Sequence, residues 1–485
     1  METPVLRMVN VLVPGISTLS SSTRHFALYW ALAALCGQEG YDASASKTMV
    51  NRAEAALAWA SLLNRATGEL TGPANMHGAS TVRRLLASAE SRPEPLSELV
   101  ASSYSGREWG YWAQYKGPAL TLGIVTSDKN ALRPGARPCP PELRDMFDPL
   151  FAIITQRPVC AADLPNLSPL VSDAPTTPDI EPVRGLMTAT DGTGRHNPTS
   201  WTGDDQTRRS TLRILARAVQ LQPNDNTWRA RCSGAIASGA HLDTDPVFQH
   251  EGARAHAWRG LLLRHRFVGA WRLLWASLVD QVLRAGEPLD RTQLRDWIRN
   301  QTSAEALADF VDALPATTGK HGHPLPAEDV VEQGDRGRID AALAVLLLGS
   351  KRITELVGET LAAYRGGAKT PPHAYLDPTW VGERARELHD RRLGDFACAL
   401  VDDMLDQSHR IALRKLVVKP DGRVDMPSKL YEREGRYFAE GAEGADNIGY
   451  REDTLEDIAT QLGLFTKHDE GLRVSDIGKQ LLELP

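Results

Sequence analysis

Two stretches far apart in this chain repeat one pattern. Residues 122–133 read LGIVTSDKNALR and residues 462–473 read LGLFTKHDEGLR, with Leu, Gly, two apolar residues, Thr and a closing Leu-Arg at identical spacing. A shared spacing of this length assigns both segments the same local structure. An apolar pair, Ile124–Val125 or Leu464–Phe465, opens a strand, a polar turn follows, and Leu132 or Leu472 begins the return strand. Each copy therefore predicts a two-stranded β-ribbon. Upstream of the second, Leu455, Ile458, Ala459 and Leu462 fall at helical spacing, with Glu456 and Asp457 in the first turn. Downstream, Ser475 and Asp476 can cap a helix over 477–482, and Pro141 and Glu142 open one through Phe147 to Phe151.

The rest of the pattern is helical. Apolar periodicity and Ser/Thr starts predict helices over 21–35, 46–65 and 80–90, then over 204–221, 253–285, 291–300, 303–314, 336–348, 353–364 and 378–413. No strand alternates with these helices, which excludes a doubly wound nucleotide-binding sheet. Proline marks the main boundary, since 12 of the 30 prolines lie between Pro134 and Pro198, a composition expected of a linker or crossover. The expected domains are an N-terminal helical region over 1–150 ending in one ribbon unit, a Pro-rich crossover over 151–205, a helical middle domain over 206–415 and a ribbon-bearing C-terminal domain over 416–485. No apolar run reaches the length that spans a bilayer, the longest being 341–348, and the early Pro14–Gly15 breaks any signal-peptide core. The expected location is the cytoplasm. Five separated cysteines without a C-x-x-C pair exclude a disulfide framework and a cysteine-rich zinc site.

A helix, Leu-Gly-Leu at its end, a polar ribbon and a capped helix resemble the tail of a winged-helix domain, in which the ribbon is the wing. The resemblance implies a mainly α, multi-domain protein with two small winged-helix-like α/β units, near 80–150 and 450–485. A second resemblance lies in VLVPGISTLSSSTRHFALYW over 11–30. It is similar to the N-terminal element of uncharacterised bacterial proteins found among antiviral defence genes, with Pro14, Gly15, Ser17, Thr18, Arg24, Phe26, Tyr29 and Trp30 fitting and His25 departing. It implies a defence context and no activity. Phe26, Tyr29, Trp30 and Ala33 also share one helix face, as core packing requires.

The formal charge is −6, so attraction to nucleic acid has to come from local patches. The segment 208–272 is such a patch, with 11 arginines, no lysine and a net charge of +7, interleaved with Trp228, Trp258 and Trp271 and followed by Trp275. Paired arginine donors suit phosphate, and the rings suit either stacking or packing between helices. The candidate nucleic-acid-binding residues are Arg24, Arg208, Arg209, Arg259, Arg264 and Arg266, with Lys129, Arg133, Lys467 and Arg473 on the wings. Asp128, Asp469 and Glu470 on the same wings oppose them. Tyr104, Arg107, Trp109, Tyr111, Trp112, Tyr115 and Lys116 precede the first ribbon and suit base stacking or its core.

His241, Asp243, Asp245 and His250 around HLDTD have the types of a metal site, His321 and His323 share a Gly- and Pro-rich loop, and Asp191, His196, Asp204 and Asp205 line a polar stretch. None forms a phosphate loop, a nucleophile elbow or a zincin helix, and no metal or cofactor is expected. Three readings follow. The first is a non-enzymatic DNA-associated subunit of a prokaryotic antiviral defence system, partnered by DNA and by an ATPase or nuclease subunit. The second is a scaffold or adaptor that grips protein partners through terminal winged-helix domains, resembling kleisin-type subunits in outline. The third is a metal-dependent hydrolase.

Overall fold

The computed structural model describes residues 1–67, 78–88, 110–171, 177–222, 232–317, 325–367, 374–419, 421–425, 428–468 and 471–485. Its residues are mainly helical, with a few small antiparallel sheets. Two compact units are present, one made of Met1–Val11 and Arg229–Tyr450, the other of Leu12–Trp228 and Arg451–Pro485. Neither is continuous in sequence. Residues 416–450, expected with the C-terminal ribbon, group with the helical body, and 451–485 group with the N-terminal region.

The first unit is built around the helix Ala253–Ala285, buried over most of its length. Its core gathers Phe267, Trp271, Leu274 and Leu278 with Leu343, Leu346 and Leu347 of the helix Ile339–Glu355 and Phe396, Leu400 and Met404 of the helix Leu393–Lys415. Glycine sets the closest approach. A Cβ at Gly260 would lie 2.2 Å from the Thr360 carbonyl, so the helix Gly358–Tyr364 can lie directly on the central one. The helix expected over 378–413 is two, Pro378–Glu387 and Leu393–Lys415. Between them Arg391 and Leu393 exchange backbone hydrogen bonds with Leu307 and Glu305, at 2.9 and 3.0 Å, and this pairing replaces the helical bonds.

The second unit packs the helix Thr23–Gln38 against Ala43–Thr67 and Pro141–Ile154, with Gly203–Leu221 lying on Ile180–Thr188. The described residues between Pro134 and Pro198, expected to be a linker, form helices whose prolines stand largely in first turns, as at Pro141 and Pro165, where the missing N–H costs nothing. Both repeat copies belong to this unit.

Candidate functional site

The two copies share the strand register and the hydrogen bonds that close the preceding helix. In the first, Val125–Asp128 pairs with Ala131–Pro134 in the register Val125 to Pro134. In the second, Phe465–His468 pairs with Gly471–Val474 in the register Phe465 to Val474. The helices before them, Lys116–Thr121 and Glu452–Gln461, end alike. Gly123 and Gly463 both take φ of 70°. Their N–H groups donate to Leu120 and Thr460, while Ile124 and Leu464 donate to Ala119 and Ala459. This paired arrangement closes a helix on a left-handed residue, which glycine adopts without a Cβ penalty. An arginine then covers each helix end from outside, Arg137 Nε donating to Leu122 O at 3.2 Å and Arg184 Nε to Leu462 O at 2.7 Å.

The Pro-Gly-x-Ser-Thr turn joins the copies. A Cβ at Gly15 would lie 3.0 Å from the Leu122 side chain, and Ser17 Oγ donates to Gln114 O, both beside the first copy. Thr18 O accepts from Thr454, Val13 O from Arg451, and Thr23 donates to Gln461, all three partners on the second. The residues that carry the N-terminal resemblance therefore hold the two ribbon units in place, and Phe26, Tyr29 and Trp30 are buried.

The arginines expected on a phosphate surface are mostly internal. Arg24 pairs with Asp179 at 2.6 Å and is 7% exposed. Arg208, fully buried, pairs with Asp205 at 2.6 Å and donates to Leu186 O, and Arg209 reaches Thr188 O, Leu481 O and Glu483. Arg266 pairs with Glu328 at 2.6 Å, Arg259 is half-buried against the carbonyls of Ala237 and Ser238, and Arg264 is buried against aromatic rings. The sequence left open whether the arginines over 208–272 form one exposed face or are neutralised; among the described residues Arg208, Arg209, Arg213, Arg264 and Arg266 are buried and Arg217, Arg254, Arg259 and Arg272 are half-buried. On the ribbons, Arg133 donates to Tyr41 O and Lys467 to Glu456 at 3.0 Å, while Lys129 and Arg473 are exposed.

The helix Glu452–Gln461, which a winged-helix arrangement would send into a DNA groove, carries Glu452, Asp453, Glu456 and Asp457 and no cation. Partial burial pushes the Asp457 carboxyl above its usual range, and Glu456 and Asp453 push it the same way against Lys467.

Four of the remaining candidates have local structural roles. Asp245 caps the helix Pro246–Glu251, Asp191 accepts from Thr193 and Arg195 in a turn, His196 bonds Ala189 O, and Asp205 caps Gly203–Leu221. Among the described residues no three His, Cys, Asp or Glu side chains come together as metal ligands. Tyr104, Arg107, Trp109, Trp228, His321, His323, Asp469 and Glu470 lie outside the described residues. Tyr111 and Tyr115 pack beside Tyr29 around a carboxyl that sequence reasoning missed, Glu54. It accepts from Tyr29 Oη at 2.6 Å and Tyr111 N at 2.8 Å, and burial pushes it up to about 7.

The first unit also holds a cavity of about 650 Å³ walled by Trp271, Trp275, Leu376, Met404, Ile411 and Ala412. Its rim cations are engaged, Arg272 by Glu2 at 2.7 Å and by Asp446 O, and Lys429 by Ala442 O. Comparison of the chain with family models, curated proteins and solved structures finds no match.

Proposed function

We propose that the two copies are winged-helix units and that the chain is a non-enzymatic adaptor, gripping a protein partner through the second unit. The observation that carries this reading is the acidic helix Glu452–Gln461. Glu452 is buried, and the exposed or half-exposed Asp453, Glu456 and Asp457 at the position that would meet DNA repel phosphate, whereas a basic partner segment complements them. The burial of Arg24, Arg208, Arg209 and Arg266 supports the same choice, because a guanidinium enclosed against internal acceptors is out of reach of phosphate. The identical ends of the two copies support the winged-helix assignment, since each ribbon leaves a closed helix at the same angle-setting glycine. The context we propose, prokaryotic antiviral defence, rests on the resemblance over 11–30 alone.

The reading is tested by placing a photo-reactive residue at Asp457 or Thr126, with Asp312 as control, and irradiating cells that express the chain at native level. A discrete protein adduct at 457 or 126 and none at 312 supports the adaptor. Adducts to nucleic acid at 457 or 126 contradict it.

A further inference from the structure

The cavity of the first unit lies between two helices and a ribbon. The helix Leu393–Lys415 contributes Met404, Gln407, Ser408, Ile411 and Ala412, which recur at intervals of three and four residues and so share one face. The helix Ala253–Ala285 contributes Trp275, one turn beyond the fully buried Trp271. Trp275 and Ile411 are only half-buried, so apolar surface of both stays open to the space. A volume of about 650 Å³ suits a small organic molecule.

The third wall is the chain that enters and leaves the ribbon of Leu430–Arg433 and Arg436–Ala439. Leu430 pairs with Ala439, and Glu440 N donates to Lys429 O at 2.9 Å, which sets Lys429 and Glu440 side by side. The loop after Glu440 is pinned through its carbonyls. Lys429 Nζ donates to Ala442 O at 2.6 Å, and Arg336 Nη2 donates to Glu443 O at 2.6 Å while its Nη1 pairs with Asp280 at 2.5 Å. Arg272, also on the lining, is taken by Glu2 and by Asp446 O, both at 2.7 Å. These cations are spent on other acceptors, and among the described residues the carboxylates of Glu440 and Glu443 make no hydrogen bond or ion pair. Burial lowers the proton affinity of the Met1 amino group, the other cation of the lining. Glu440 is exposed and Glu443 half-exposed, so both stand where the cavity meets water. A charged head group held there keeps part of its hydration, while an apolar body inside leaves water altogether.

We propose that this cavity binds an amphipathic organic amine, with its hydrocarbon body against Trp275, Met404 and Ile411 and its ammonium at the carboxylates of Glu440 and Glu443. The ammonium donates to acceptors that the fold leaves unused, and such charge-assisted bonds are stronger than neutral ones. Every residue of the site belongs to the first unit, so the site stands independently of the adaptor reading of the second.

The test is calorimetric titration of the full chain at neutral pH with three ligands of one chain length, octylammonium, octanoate and octanol, each below its aggregation or solubility limit. Octylammonium should bind and raise the thermal unfolding midpoint, with octanoate and octanol weaker by about tenfold, the worth of two partly exposed ion pairs. The double variant Glu440→Gln, Glu443→Gln should lose the same factor for octylammonium. Its unfolding midpoint without ligand should equal the parent's, since neither carboxylate has a partner to lose. Trp275→Leu should weaken octylammonium binding by removing part of the apolar wall. A cavity that is merely apolar would take octanol as well as octylammonium, and that result overturns the proposal. It is overturned equally by tighter binding of octanoate, by no binding of octylammonium, or by unchanged affinity in the double variant.

Discussion

Thr23 and Gln461 are joined by two hydrogen bonds: the backbone N–H and the hydroxyl of Thr23 both donate to Gln461 Oε1, at 3.1 and 3.2 Å. Thr23 is the first residue of its helix, and Ser22 at the N-cap makes no side-chain cap bond. Gln461, from the end of the second copy's helix, supplies the cap from outside, and its Nε2 donates to Ser21 O at 2.7 Å. Gln461→Ala should lower stability by about 1 kcal/mol, the usual cost of a lost cap, as read by urea unfolding. An unchanged midpoint would show that the joint contributes nothing.

Gly123 and Gly463 make a matched pair of tests. Space is open at both, with Arg137 and Arg184 the nearest atoms at 3.7 and 3.6 Å, so Ala meets only the backbone penalty of φ at 70°. Each Gly→Ala change should cost roughly 1–2 kcal/mol. Gly203→Ala, in the first turn of Gly203–Leu221 with nothing within 4 Å, should be neutral or stabilising and serves as the control.

The Arg266–Glu328–Arg352 triad gives the largest expected effect. Glu328→Gln leaves two buried guanidinium groups without a counter-charge and should cost roughly 3–5 kcal/mol. Burial pushes the Glu328 carboxyl up, and Arg266 and Arg352 outweigh it, so the folded protein holds this carboxyl below its usual range. A depressed carboxyl contributes stability at pH above its unfolded value of 4.5 and loses that contribution as the pH falls through the folded value. Acid unfolding of the parent should therefore be steeper than that of Glu328→Gln.

Glu54 works in the opposite sense. Its folded value near 7 lies above the unfolded 4.5, so its unfavourable contribution grows as the pH rises between the two and is constant above. Glu54→Gln keeps an oxygen for Tyr29 and Tyr111 and removes the charge. The variant should be more stable than the parent at pH 8, by about 3 kcal/mol as an order of magnitude, and equal to it near pH 4. Denaturant midpoints across that range read the difference, and a gap independent of pH would contradict the assignment.

The repeat was legible in the sequence because a helix stop, two strand starts and a return strand each leave a residue at a fixed place, and Gly123 and Gly463 occupy the same one. The helices were legible by periodicity, with their ends misplaced where tertiary pairing intervened, as at Arg391 and Leu393. The burial of the arginines was not legible, because a charge count carries no burial. Asp205, three residues before Arg208 in a helix, was the available sign of an internal pair, whereas Glu328 stands far from Arg266 in sequence and gave none. Glu54, a lone carboxylate in the run AEAALAWA, was a visible anomaly. The cavity draws its walls from separated segments, and no local pattern marks it.

Binding of the full chain to a fluorescent DNA duplex across a salt series, beside the triple change Asp453→Lys, Glu456→Lys and Asp457→Lys, tests the adaptor reading most directly. The account predicts no binding by the parent at low salt, because the helix facing a groove is acidic, and a salt-sensitive gain of binding by the triple variant. Tight binding by the parent that weakens steeply with salt would contradict it.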